Sequence, residues 1–184
     1  ATAPRRTSAA VRRVTSPAMG RKFSFTEDFD VTPAQAHSAL TDEALWDKRT
    51  KEVSDRASVE YSHRPDGGFD VVISEGVGAS VLPGFVRKVI RGDLVITRKD
   101  SWGPLEGDRA NGTLEGGSTG LTSKVRGTFE LVPHGTGSRL TLRGTAEVKV
   151  PFVGGKIEGM VTEMIGKMVH SESKQAREYL ADRA

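Results

Sequence analysis

The chain predicts an α+β fold: seven antiparallel strands forming one curved sheet, closed by a single long C-terminal helix. Three observations predict it. Residues 151–182 carry the only long helical periodicity in the chain. From residue 55 to residue 150 short alternating apolar runs are punctuated by Gly- and Pro-rich turns. Some of the 21 glycines, Gly112, Gly116, Gly127 and Gly144 among them, fall inside those runs, where they mark the bends that a sheet wrapped around a helix needs.

The elements follow in order. Residues 1–19 are rich in Ala, Ser, Thr, Pro and Arg and lack periodicity, so they read as a disordered basic tail or leader, with Met19 as a possible start. Residues 20–184 are expected to form one domain. Lys22 to Val31 alternates, with Phe23, Phe25, Phe29 and Val31 on one face. Glu27 falls on that face, at a bulge or a solvated position or as a cavity carboxylate. Thr32-Pro33-Ala34-Gln35 is a helix start, with a capping hydroxyl, Pro at the first position and Gln at the capping-box place. A second short helix begins at Thr41-Asp42-Glu43, and the pair is expected to bracket one sheet edge. Strands follow over Asp55–His63, Phe69–Glu75, Asp93–Trp102, Arg109–Glu115, Leu121–Val132 and Ser138–Val150. Pro65-Asp66-Gly67-Gly68 marks one hairpin turn between them.

The segment from Gly76 to Gly92 breaks the strand pattern. Its Val81, Leu82, Phe85, Val86, Val89 and Ile90 have helical spacing, and Arg87, Lys88 and Arg91 add charge. It reads either as a connection tucked into the core or as a gate over a cavity, with Phe85 as the gating side chain. A basic amphipathic element of this kind can also rest on an anionic membrane, so peripheral contact through 82–91 is expected.

In the long helix Ile157, Met160, Val161, Met164, Ile165, Met168 and Val169 share one face, and Ala176, Tyr179 and Leu180 resume it after a polar gap. Met160, Met164 and Met168 form one row. They either pack in the core or line a cavity wall, a use that suits a flexible, polarizable side chain.

Composition narrows the chemistry. The formal net charge is +3, but Arg5, Arg6, Arg12 and Arg13 lie in the tail; without them 23 basic residues face 24 acidic ones, a balance of −1. A folded body so balanced is not expected to bind nucleic acid. With no Cys and four scattered histidines, neither a disulfide framework nor a metal site is expected. No cofactor motif is present, and no apolar run reaches the roughly 18 residues of a membrane span, so a cytoplasmic location is expected.

One strand carries polar residues of interest. Leu94, Ile96, Arg98, Asp100 and Trp102 share a face, which puts an Arg–Asp pair beside an indole either inside the cavity or on a solvated strand end. His63 and His170 have no Ser or Cys partner at a useful spacing, and no catalytic residue is assigned.

Three stretches resemble a known superfamily: Phe29-Asp30-Val31-Thr32-Pro33-Ala34-Gln35-Ala36, Thr41-Asp42-Glu43-Ala44-Leu45-Trp46 and Val150-Pro151-Phe152-Val153-Gly154-Gly155-Lys156-Ile157-Glu158. With the element order, they resemble the START and birch-allergen-like (SRPBCC) proteins, which include polyketide cyclases and coenzyme-Q-binding proteins. The third stretch is similar to an actinobacterial branch known only as a domain of unknown function. The resemblance runs from about Lys22 to Asp182 and implies the helix-grip fold, with a cavity between sheet and helix. It implies binding or transport of a hydrophobic small molecule (a lipid, quinone or polyketide-like compound) without catalysis. The alternatives are a cyclase or dehydratase working in the same cavity, or a ribosome- or RNA-associated protein. The expected ligand contacts are Arg98, Asp100, Trp102, Phe85, Met160, Met164 and Met168.

Overall fold

A computed structural model of the protein describes residues 20–184, so the expected disordered tail lies outside the described residues. Seven strands form one antiparallel sheet in the order β1-β7-β6-β5-β4-β3-β2. They are β1 (Arg21–Phe29), β2 (Ala57–His63), β3 (Phe69–Val77), β4 (Leu94–Trp102), β5 (Ala110–Ser118), β6 (Ser123–His134) and β7 (Gly137–Val148). The helices are α1 (Pro33–Leu40), α2 (Glu43–Val53), α3 (Gly84–Arg87) and α4 (Gly154–Ala181), with a 3₁₀ turn at Ala79–Val81. This is the helix-grip architecture, a curved sheet around one long helix. At 28 residues, α4 is on the order of 42 Å long.

Strands β2 to β7 follow one another as a meander, while β1 pairs with β7 at the far edge. The chain must therefore pass from one edge to the other between β1 and β2, and α1 and α2 make that passage. This corrects the expectation of a bracket at one edge: the two helices are a crossover, packed against α4 on the way. Local chemistry fixes where each begins. Thr32 and Gln35 form a reciprocal capping box at α1. The Asp42 carboxylate accepts the Ala44 N–H at 2.8 Å to cap α2. The same carboxylate accepts from Tyr179 and from Arg183, which ties the end of α4 to the α1–α2 joint.

The long connection after β3 holds the 3₁₀ turn and α3. Glu27 sits in an unbroken β1–β7 ladder, so neither a bulge nor a solvated position describes it. Its carboxylate is mostly covered and pairs with His170 at 2.9 Å and Arg177 at 3.2 Å, two residues of α4. Arg109–Glu115, weakly apolar in sequence, is the start of a full strand extending to Ser118.

The register aligns side chains across the sheet in rows on one face. Phe69, Trp102, Gly112, Phe129, Leu142 and Phe25 form one row, in which Trp102 stacks on Phe129 at 5.2 Å between ring centroids. The next row is Val71, Asp100, Leu114, Gly127, Gly144 and Phe23. Two glycines meet there, and the Phe23 ring fills the space they leave. A Cβ on Gly144 would lie 2.6 Å from Phe23 Cζ and 2.8 Å from the Gly127 Cα, with the Arg126 carbonyl closer still. Backbone cannot yield as a side-chain tip can, so Gly144→Ala should cost about 3 kcal/mol. Gly155→Ala, on open helix surface, should leave stability unchanged or raise it by up to about 1 kcal/mol. Urea denaturation of the two variants checks the contrast.

Candidate functional site

Helix α4 packs on the β1–β7 side of the sheet and on α1 and α2. Across from it, strands β3 to β6 stand off, and the gap between them is a cavity of about 530 Å³. Its floor is the row Ile73, Arg98, Gly116 and Val125, with Ile96 and Leu114 on either side. The absence of a side chain at Gly116 deepens it. Its wall is the apolar face of α4 from Ile157 to Met168. At the α3 end Leu82, Val86 and Leu121 close it. It reaches solvent beside Met164, which lines the cavity and is still 49% exposed.

The opposite end is polar. Arg98 sits on β4 with its side chain 11% exposed. Its Nε donates to Asp100 Oδ1 at 2.8 Å, and its Nη2 makes a second, short bond to Oδ2. The same guanidinium donates to Glu172 of α4 at 2.5 and 3.0 Å and lies against the Met168 sulfur. It stacks over the Trp46 ring at 5.7 Å. Arg49 of α2 reaches Glu172 at 3.2 Å and donates to Gln175 at 2.8 Å. Two arginines and two carboxylates thus meet where α2, β4 and α4 converge, with no net charge.

Burial costs each group, and the partners decide which way it moves. Burial opposes the Glu172 charge, but Arg98 and Arg49 overcome it and hold the carboxyl below its usual range. Burial likewise opposes the Arg98 charge, and Asp100 and Glu172 more than compensate, so Arg98 stays protonated. Asp100 is the deepest of the four, and there burial wins and pushes its carboxyl up, with Arg98 pulling against it. Burial lowers Arg49, which is opposed first by Glu172.

The expected ligand contacts separate into two groups. Met160, Met164, Met168 and Arg98 line the cavity. Asp100 and Trp102 do not: Asp100 is the support behind Arg98, and Trp102 is a core residue with His37 at its edge. Neither stands on a solvated strand end, since both are buried. Phe85 also falls outside the lining. It packs half-buried in a second apolar cluster around Val86, Val148 and Ile157, with Lys156 of α4 over its ring at 4.1 Å. Its neighbours Leu82 and Val86 are the α3-side residues that face the cavity. Sequence reading missed Arg49 and Glu172. The signal for Glu172 was the polar gap at Ser171-Glu172-Ser173 in an otherwise apolar helix face. Among the described residues no cluster of His, Asp or Glu is placed to hold a metal ion, and no helix is long and apolar enough to cross a membrane.

A family model described as "Protein of unknown function (DUF2505)" matches residues 24–180. The chain belongs to the DUF2505 family. Uncharacterized protein Rv0481c of Mycobacterium tuberculosis is 30% identical over 164 residues, covering 85% of this chain and 94% of the relative. Mb0491c of Mycobacterium bovis matches to the same extent, at 30% identity over 164 residues. Solved structures share the fold. TTHA0849 from Thermus thermophilus superposes with a TM-score of 0.60 at 18% identity, over 89% of this chain and 99% of its own. Ara h 8.0201 gives 0.53 at 16% identity, over 88% and 98%. A START superfamily protein from Mycobacterium smegmatis gives 0.52 at 16% identity, over 90% and 100%. This DUF2505 protein is therefore START-like in fold, in a branch of unknown function, as the three short stretches imply.

The buried charges give a test. Glu172→Gln leaves two buried guanidinium groups facing one carboxylate, so it should cost about 3–5 kcal/mol. Glu163→Gln removes an exposed i,i+4 pair with Lys167 and should change stability by less than about 0.5 kcal/mol. Glu172 is depressed from an ordinary value of 4.5, so its stabilisation is complete above that pH and is lost as pH falls through the folded value. The stability gap between parent and Glu172→Gln should accordingly narrow below pH 4.5 when measured by denaturant titration.

Proposed function

We propose that this protein binds and carries a hydrophobic small molecule in the cavity between sheet and α4. The observation that supports this most directly is the cavity itself: about 530 Å³, within the range of small-molecule sites, with a largely apolar wall and the guanidinium groups of Arg98 and Arg49 at one end. The START-like fold of the chain is consistent with it. A lipid, quinone or polyketide-like compound fits such a space, with its apolar body along the methionine row and any polar group toward Arg98 and Arg49. Peripheral membrane contact through 82–91 belongs to the same proposal, because Leu82 and Val86 border the cavity.

Catalysis in the cavity gains no comparable support. Arg98, Asp100, Arg49 and Glu172 spend their hydrogen bonds on one another, which suits a scaffold better than a general acid or base that must exchange protons with a substrate.

Gly116→Leu tests the reading. A Cβ there would meet nothing nearer than Val125 Cβ at 3.4 Å, and its cross-strand partners Arg98 and Val125 line the cavity, so a leucine would fill the cavity without strain. The parent should bind Nile red, and the variant should bind it at least about tenfold more weakly, with a stability change within about 1.5 kcal/mol. Equal binding by the two folded proteins would place the probe elsewhere. Mass spectrometry of an organic extract of the purified protein would identify a resident ligand.

A further inference from the structure

One end of the molecule exposes apolar side chains that the fold does not use. Phe152, between β7 and α4, is fully exposed. Val81, in the 3₁₀ turn, is 74% exposed. Both project from segments rooted in one cluster, since Val150 and Val153 flank the first, Leu82 follows the second, and all three pack around Val86, Val148 and Ile157. Pro83 and Pro151 are exposed beside them.

Phe152 is held out by its own backbone. It is the centre of a three-residue turn in which the Val153 N–H donates to the Pro151 carbonyl at 2.8 Å. Its φ is 66°, in the left-handed region, and it is the non-glycine residue found there among those described. That turn is strained for an L residue and rare for a bulky one. Glycine would be easier at this place, and a polar residue would suit the exposure. An aromatic ring presented to water by a strained turn points to a surface that covers it.

Charge names the kind of surface. Residues 79–93 and 149–156 carry Arg87, Lys88, Arg91, Lys149 and Lys156 against one acid, Asp93. Arg87, Lys88 and Arg91 are exposed, and none forms an ion pair among the described residues. Lys149 pairs with Glu147 at 3.4 Å, and the nearby Glu158 is engaged by the Val148 N–H at 3.0 Å. An exposed apolar point with unpaired cations on the segment that shares its cluster matches the two layers of an anionic bilayer, acyl chains beneath negative headgroups.

We propose that this end is a docking surface for an anionic lipid bilayer, with Phe152 entering the acyl layer and Arg87, Lys88 and Arg91 meeting the headgroups. Docking there brings Leu82 and Val86, at the α3 end of the cavity, to the lipid. The headgroup contact of Arg87, Lys88 and Arg91 deepens the membrane contact proposed with the ligand-carrier reading and rests on it, and the entry of Phe152 is what is added.

Co-sedimentation with vesicles of phosphatidylcholine, with and without phosphatidylglycerol, tests it. The full chain should bind the anionic vesicles at low salt, and added salt should weaken binding. Phe152→Gly relieves the strained φ, so its melting temperature should be unchanged or higher, while vesicle affinity falls by about tenfold. Replacing Arg87, Lys88 and Arg91 by Gln should lower it on the order of a hundredfold. A Phe152→Trp variant should show blue-shifted emission on anionic vesicles. No binding to anionic vesicles at low salt overturns the proposal, and so does binding that Phe152→Gly leaves unchanged. Self-association that Phe152→Gly abolishes, without vesicle binding, assigns the surface to a second copy and equally overturns it. Nile red binding without vesicles reports the cavity alone, so failure of the docking and failure of the carrier reading give different results.

Discussion

Four buried charges fix how the layers of this protein sit on one another. Arg98 belongs to the sheet, Arg49 to the crossover helices and Glu172 to the middle of α4. Each is costly away from water unless its partners are at hand. A slide of α4 by one turn, about 5.4 Å, would carry Glu172 away from both arginines and leave two buried guanidinium groups with one carboxylate, Asp100, between them. Apolar packing tolerates such slides better, because methionines and other flexible side chains re-pack. The ion cluster therefore specifies the register between helix and sheet, while the aromatic rows and the Val169–Ala176 half of α4 supply most of the burial.

With the register fixed, the two halves of α4 serve different ends. Its C-terminal half packs against the main core and the crossover helices, tied at its tip by Tyr179 and Arg183 to Asp42. Its N-terminal half meets the sheet chiefly through β1 and β7, at Gly166 for example, where a Cβ would lie 2.6 Å from the Phe25 ring. Toward β3–β6 the facing sheet positions are mostly small or aliphatic, Ile73, Ile96, Leu114, Gly116 and Val125 among them, and the space stays open. The cavity is thus a consequence of where side-chain volume was withheld, as much as of sheet curvature.

Much of this was legible in the sequence because it rests on periodicity and local chemistry. The Thr32–Gln35 box, the β7 alternation and the face of α4 each declare themselves within a dozen residues. The faces of strands were also legible: Arg98, Asp100 and Trp102 do point the same way. Depth along that face was not. Whether Arg98 borders the cavity while Trp102 lies in the core depends on which row each joins across seven strands, and alternation carries no such information. Edge order was hidden for the same reason, so the crossover by α1 and α2 looked like a bracket. Arg49 and Glu172 are 123 residues apart in number, and an ion pair across that distance leaves only a polar gap in a helix as its trace. Phe85 misled because helical spacing marks a buried face without saying which space the face meets.

The two ends of the cavity differ in what they offer a ligand. At the α3 end Leu82, Val86 and Leu121 bound the cavity, and the connection carrying the first two has no ion pair of its own among the described residues, so its cohesion is the small cluster around Val86, the Lys156–Phe85 contact and hydrogen bonds to the β5–β6 turn such as Arg91 N–H to the Gly120 carbonyl at 3.0 Å. At the other end the boundary is the ion cluster, the most strongly held polar group in the interior. Opening the second end would expose or separate buried charges, whereas opening the first parts apolar contacts and a few hydrogen bonds that water can replace. The cost of opening is therefore strongly asymmetric. A molecule entering between sheet and helix meets the weaker boundary at the α3 end or the gap beside Met164, and the arginine end is a floor that stays in place while the ligand comes and goes.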